Sequence, residues 1–169
     1  MTELLAQSSQ NVLVKRPPEE IRAAIVRFEN LLSELDGAVF NDAFPLKHSF
    51  ADGCYIREMT IPKGCVGVGK IHKHSHPRFV LCGEFIAFTE HDGWKYCKAP
   101  AYVTSQAGRK SILIALEDCV VVTVHVTDET DLKKIEEDVI AVSYDAFEAY
   151  KEIAAASLNK TGILGERVK

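Results

Sequence analysis

Between Cys54 and Val126 the chain is cut into short apolar runs, each closed by turn residues. This punctuation limits the fold more than any other feature. The runs are Cys54–Ile61, Cys65–His72, Arg78–Cys82, Glu84–Glu90, Trp94–Lys98, Ala101–Ser105, Lys110–Leu116 and Cys119–Val126. Pro62-Lys63-Gly64, Gly83, Asp92-Gly93 and Glu117-Asp118 fall between them, and Asp-Gly is a strong hairpin signal. About eight short strands at nearly even spacing predict a β-sandwich or barrel. Ser111–Leu116 and Cys119–His125 are almost continuously apolar, as strands inside a sandwich can be.

Helices are predicted at both ends of this block. Pro17 and Pro18 open one, where a missing N–H is harmless, and Glu19 and Glu20 suit the positive end of the helix dipole. Ile21, Ile25, Phe28, Leu32 and Leu35 recur every three or four residues, giving one apolar face for docking, and Gly37 closes the helix. Residues 128–138 predict a second helix. A third is predicted over 145–157, with Tyr144, Phe147, Tyr150 and Ile153 as its buried side. Gly162 and Gly165 mark a loose tail, and Met1–Lys15 form a leader without a clear period. The expected organisation is one domain in three parts: leader and docking helix over 1–46, barrel over 47–127, helical extension and tail over 128–169.

A chain of 169 residues can bury a sizeable core. Its net charge of −4 lacks the basic footprint of a nucleic-acid binder, so nucleic acid is not the expected partner. No apolar run approaches the roughly 20 residues needed to cross a bilayer, and Met1–Gln10 has no apolar signal core. The expectation is a cytoplasmic protein with no membrane partner. Cys54, Cys65, Cys82, Cys97 and Cys119 form no Cys-x-x-Cys motif and are expected as small buried hydrophobes.

The chemistry concentrates in Gly69-Lys70-Ile71-His72-Lys73-His74-Ser75-His76. In an extended segment His72, His74 and His76 would share one face. Imidazoles on one face make a partial site for first-row transition metals. A solvated strand edge is the competing interpretation. His125 ends the last strand, either as a rim histidine or within reach of the same cavity, while His48 precedes the barrel. Lys70 and Arg78 are candidate anion contacts, and Arg57-Glu58 reads as an ion pair in a polar barrel mouth. No phosphate-binding loop or nucleophile elbow is present. Gly64, Gly67 and Gly69 open no helix, so they are not a dinucleotide fingerprint.

His72–Gly83 followed by Glu84-Phe85-Ile86 resembles the first motif of the cupin superfamily, with Val80-Leu81-Cys82-Gly83-Glu84 at its turn. Ser105-Gln106-Ala107-Gly108 resembles the start of the second motif. The resemblance covers roughly Lys47–Val126, about half the chain. A nearer resemblance is to small cupin-like proteins of bacteriophages and prophages, a group without an agreed activity. It rests on His48–Glu58, Gly69–Lys73, Ala107–Lys110, Glu117-Asp118 and Thr123–His125. What these resemblances imply is a mostly β, single cupin-type β-jelly-roll barrel with an N-terminal helix and C-terminal helices.

Registered on the Gly83 turn, Lys70 falls where such proteins carry the first histidine and His72 at the second. His76 takes the glutamate place, and Ser111 stands where a further histidine is expected. The resulting expectation is a divalent transition metal (iron, manganese, nickel or zinc) on His72, His76 and His125. Lys70, His74, Arg57 and Glu58 would line a pocket for a small, anionic metabolite, in a homodimer. His125 would be a third ligand or a proton-transfer group. Two alternatives stay open. One is a non-catalytic phage-type binder sequestering a host nucleotide signal in the host cytoplasm. The other is a structural or virion-associated assembly protein.

Overall fold

The strands predicted from Cys54 onward form two facing sheets in the computed structural model, which describes residues 16–38 and 44–160. The leader Met1–Lys15 and the tail at Gly162 and Gly165 lie outside the described residues. In chain order the elements are α1 (Pro18–Ser33), β1 (Leu46–Ala51), β2 (Cys54–Ile61), β3 (Val66–Val68), β4 (Ile71–His72), β5 (His76–Cys82) and β6 (Glu84–Thr89). They continue with β7 (Gly93–Lys98), β8 (Ala101–Ser105), β9 (Ser111–Ala115), β10 (Cys119–Val126), α2 (Leu132–Val139), β11 (Ile140–Ala141) and α3 (Tyr144–Lys160).

One sheet has the order β1-β2-β10-β5-β8 and the other β3-β9-β6-β7. Take β2, β3 and β5 to β10 as eight strands in chain order. The first, eighth, third and sixth then share one sheet, and the second, seventh, fourth and fifth the other. That interleaving defines a jelly roll. The expected class, a mostly β jelly roll with an N-terminal helix and C-terminal helices, is therefore the one observed.

Period-two alternation sends Ile61, Val80, Phe85, Ala115, Cys119 and Val121 inward to a common apolar core. Helix α1 lies on the outer face of the β3-β9-β6-β7 sheet, where Ile21 and Ile25 pack with Phe88 and Ile112. Its last turn tightens, with the Glu34 and Leu35 N–H groups reaching the carbonyls of Leu31 and Leu32. The helix thus stops at Ser33, short of Gly37, and leaves Leu35 exposed. Asp131 caps α2 by accepting from the N–H groups of Lys133 and Lys134. Ile135 and Val139 of α2 pack on Tyr55, covering one mouth of the barrel. Helix α3 buries Phe147 against Ile71 and Ala141, whereas Ile153, expected on its buried side, is exposed. No described helix is long and apolar enough to cross a membrane.

Three further differences from the sequence-based expectation bear on the site. The predicted strand Cys65–His72 is two pieces, because Gly69 leaves the sheet. Its N–H binds the Ser111 carbonyl at 2.7 Å, and a Cβ there would sit 3.3 Å from Ser111 Oγ. The chain then pairs β4 with β11, an element the sequence did not announce. Leu46–Ala51, which lacks clean alternation, is an edge strand that places His48 in the barrel wall. Of the five cysteines, Cys119 is buried, Cys82 is exposed and the others are half-buried.

Candidate metal centre and pocket

A bend at Lys73-His74 interrupts the extended run that would have aligned three histidines. Two of them stay together. His72 is held by its β4–β11 pairing with Ile140 and by its carbonyl, which accepts from the Gly108 N–H at 2.8 Å. Gly108 has φ +77, and a Cβ there would strike the Phe147 ring, so this clasp requires glycine. His76 opens β5, two residues before Arg78, and β10 supplies His125.

Each of these three histidines offers a ring nitrogen within 4.8 Å of the others. The His72 ring centroid is 4.2 Å from that of His76 and 5.2 Å from that of His125, and the latter two are 4.7 Å apart. His74 is swung outward instead. It is exposed and meets Tyr150 of α3 edge-on at 5.5 Å.

The electrostatics keep the cluster neutral. Burial, then the neighbouring His76 and His125, push the His72 pKa down to about 2. Burial, then His76 and Arg57, push His125 to about 4. Burial also lowers His76, partly opposed by its contact with the His74 carbonyl. That contact, 3.3 Å from Nδ1, fixes a tautomer: a carbonyl only accepts, so Nδ1 carries the proton and Nε2 keeps its lone pair. His72 Nδ1 is buried with no hydrogen-bond partner. Three neutral imidazoles, one oriented by a carbonyl and one with an orphaned nitrogen, form a donor set that fits a divalent transition metal.

Two cavities meet at His72. The larger, about 180 Å³, opens along the inner face of β2, β5 and β10 and is lined by Arg57, Lys70, His72, His76, Arg78 and Arg109 among others. The smaller, about 80 Å³, lies under α2 and also touches His48, Tyr55 and His125. Lys70 borders both, and its Nζ pairs with Glu136 of α2. Arg57 borders both as well. Glu58 borders neither, because adjacent strand residues face opposite sides, and it stands opposite Lys47 of β1. Arg57 and Glu58, expected as an ion pair, therefore stand on opposite faces of β2.

Sequence reasoning missed several lining groups. His48 Nδ1 is 2.6 Å from Tyr55 Oη, and the Tyr55 ring stacks between His48 and His125. His125 Nε2 is 3.2 Å from Thr123 Oγ1. Arg109, Ser105 and Ser111 complete the polar lining. The available signal was alternation: Tyr55 and Thr123 lie two residues from Arg57 and His125 and share their face.

No family model matches the chain, and no curated protein matches it in sequence. Solved structures of similar shape include ectoine synthase from P. lautus, 12% identical with a TM-score of 0.49, aligned over 61% of this chain and 78% of that one. KdgF from Halomonas sp. is 16% identical with a TM-score of 0.45, over 59% and 94% of the two chains. A cupin-2 domain protein from Shewanella frigidimarina is 12% identical with a TM-score of 0.42, over 59% and 92%.

Proposed function

We propose that this chain is a cupin-type pocket protein that holds a divalent transition metal on His72, His76 and His125. The barrel would bind, or turn over, a small anionic metabolite beside it. The single observation carrying this proposal is the convergence of three neutral imidazoles on the wall of a cavity.

A bound metal with open positions would supply Lewis acidity, polarising a carbonyl or activating water. The chain's own residues do the rest. The His74 carbonyl keeps the His76 lone pair at Nε2, and α2 shields one mouth from solvent.

One feature favours binding without turnover. Among the described residues the lining of the larger cavity offers imidazole rather than carboxylate groups as acids or bases.

The test is metal content by elemental mass spectrometry on tag-free protein reconstituted with iron, manganese, nickel or zinc, beside a His72→Ala/His76→Ala variant. The expected result is near-stoichiometric metal in the native chain and its loss in the variant. Equal, negligible metal in both would sink the metal centre. Tight ligand binding without turnover would identify the binder.

A further inference from the structure

The three histidines of the cluster are not held alike. His76 and His125 stand in strands of the five-stranded sheet, paired with Ser105 of β8 and Tyr55 of β2. His72 stands in β4, two residues that belong to neither main sheet. Its backbone partners come from elsewhere. Ile140 and Ala141 of β11 pair with His72 and Ile71. The Lys73 N–H donates to the Val139 carbonyl at the end of α2, and the Gly108 N–H to the His72 carbonyl, both at 2.8 Å. So short a strand pair is marginal by itself, and its place depends on what packs against it.

That packing comes from α3. Phe147 is buried against Ile71 and Ala141, the residues next to His72 and Ile140 in the strand pair. Its ring also fills the space beside Gly108 that a Cβ would otherwise take. Phe147 thus touches β4, β11 and the turn that clasps the His72 carbonyl. Ser143 fixes the first turn of the helix, its hydroxyl accepting from the Ala146 N–H and its carbonyl from the Phe147 N–H. One turn farther, Tyr150 meets His74 edge-on, so α3 contacts the chain on either side of His72. Arg22 of α1 ties the helix down, pairing with Glu148 at 3.3 Å and lying over the Tyr144 ring.

We propose that α3 is the positioning element of the metal centre: Phe147, pressing on Gly108 and Ile71, holds His72 within reach of His76 and His125. This inference rests on the reading of the three histidines as a metal site. Phe147 acts through the backbone around His72 and is a positioning residue. The C-terminal extension thereby becomes part of the site, supplying to His72 the support that the barrel strands give to the other two. Groups that orient metal ligands from outside contribute about ten- to hundredfold in metal affinity.

The probe is Co2+, titrated into full-length protein and read by visible absorption. Gly108 amide exchange is followed by NMR in the metal-free chain. Phe147→Ala is expected to weaken Co2+ binding by about ten- to hundredfold. It is also expected to speed Gly108 exchange and to move the Co2+ spectrum toward that of His72→Ala. Phe147→Leu, which refills most of the space, is expected to restore all three. Ile25→Ala removes a buried contact between α1 and the other sheet; it is expected to cost stability and leave all three as in the native chain. If Phe147→Ala fails to fold, Phe147→Val takes its place with the same expected directions. Native Co2+ affinity or native Gly108 exchange in Phe147→Ala overturns the inference, and so does an equal loss in Ile25→Ala. A native chain that takes up no Co2+ sinks the metal reading instead. In that case faster Gly108 exchange in Phe147→Ala, but not in Ile25→Ala, upholds the positioning of His72, and unchanged exchange overturns it too.

Discussion

Along β2, β5 and β10 the inner face of the barrel changes character half-way. Toward the Gly83 turn the rows are Ile61 with Cys119, then Met59 with Val121 and Val80, and these close on Phe85 and Ala115 in a dry core. Toward the other end, the same alternation on the same strands presents Arg57, Thr123 and Arg78, then Tyr55 with His125 and, on β5, His76. The apolar half removes hydrocarbon from water and holds the two sheets together. The polar half buries imidazole and guanidinium groups that water would solvate better. One end of the barrel is apolar and closed, and the other gathers imidazole, guanidinium and hydroxyl groups around a cavity.

Mutating the two ends would sharpen that contrast. The largest effect is expected in the apolar half, where Phe85 is 1% exposed. Phe85→Ala should destabilise the protein by about 3–5 kcal/mol in urea unfolding. A loss comparable to that of a surface substitution would mean that the dry end is not the stabilising one.

The opposite sign is expected at Arg78. In metal-free, ligand-free protein, Arg78→Met should be neutral or stabilising by about 1–4 kcal/mol, as for other buried charges replaced by apolar groups. Strong destabilisation would show that the Arg78 charge holds the fold together.

The third expectation is smaller and concerns pH. In the unfolded chain the histidines titrate near 6.5, whereas in the folded metal-free protein His125 titrates near 4 and His72 near 2. Above pH 6.5 both states hold these groups neutral. Below it the unfolded chain takes up protons that the folded one refuses. Stability should therefore fall as pH drops through 6.5 toward 4, at up to about 1.4 kcal/mol per pH unit for each of the two groups. Urea midpoints at pH 7, 6 and 5 would show it, and a slope that survives unchanged in His72→Ala/His125→Ala would assign it elsewhere.

The dry half was the more legible in sequence. Cys54–Ile61, Ala101–Ser105 and Cys119–Val126 are strands with the predicted bounds, because apolar runs between turn residues have few other uses. The wet half was legible in composition but not in arrangement. His72, His76 and His125 were candidates from the outset and do converge. His74, assigned to the same face, is turned toward Tyr150 because the chain bends at Lys73-His74 to pair β4 with β11. Glu58 could have been separated from Arg57 by alternation alone. Arg109 could not be placed without the tertiary structure, and His48 could not without β1.

What the sequence by itself determined are the properties carried by near neighbours in the chain. These are the turns, the strand lengths, the inward or outward facing of each residue and the docking face of α1. Only the tertiary structure decided which inward residues stand side by side, and which charges end up together away from water. Register pairs Arg57 with Thr123 and Thr123 with Arg78 across long separations in sequence. The low pKa values of His72 and His125 arise first from burial, which depends on everything packed around them. Backbone alternation is a local property, whereas strand pairing and desolvation belong to the assembled barrel.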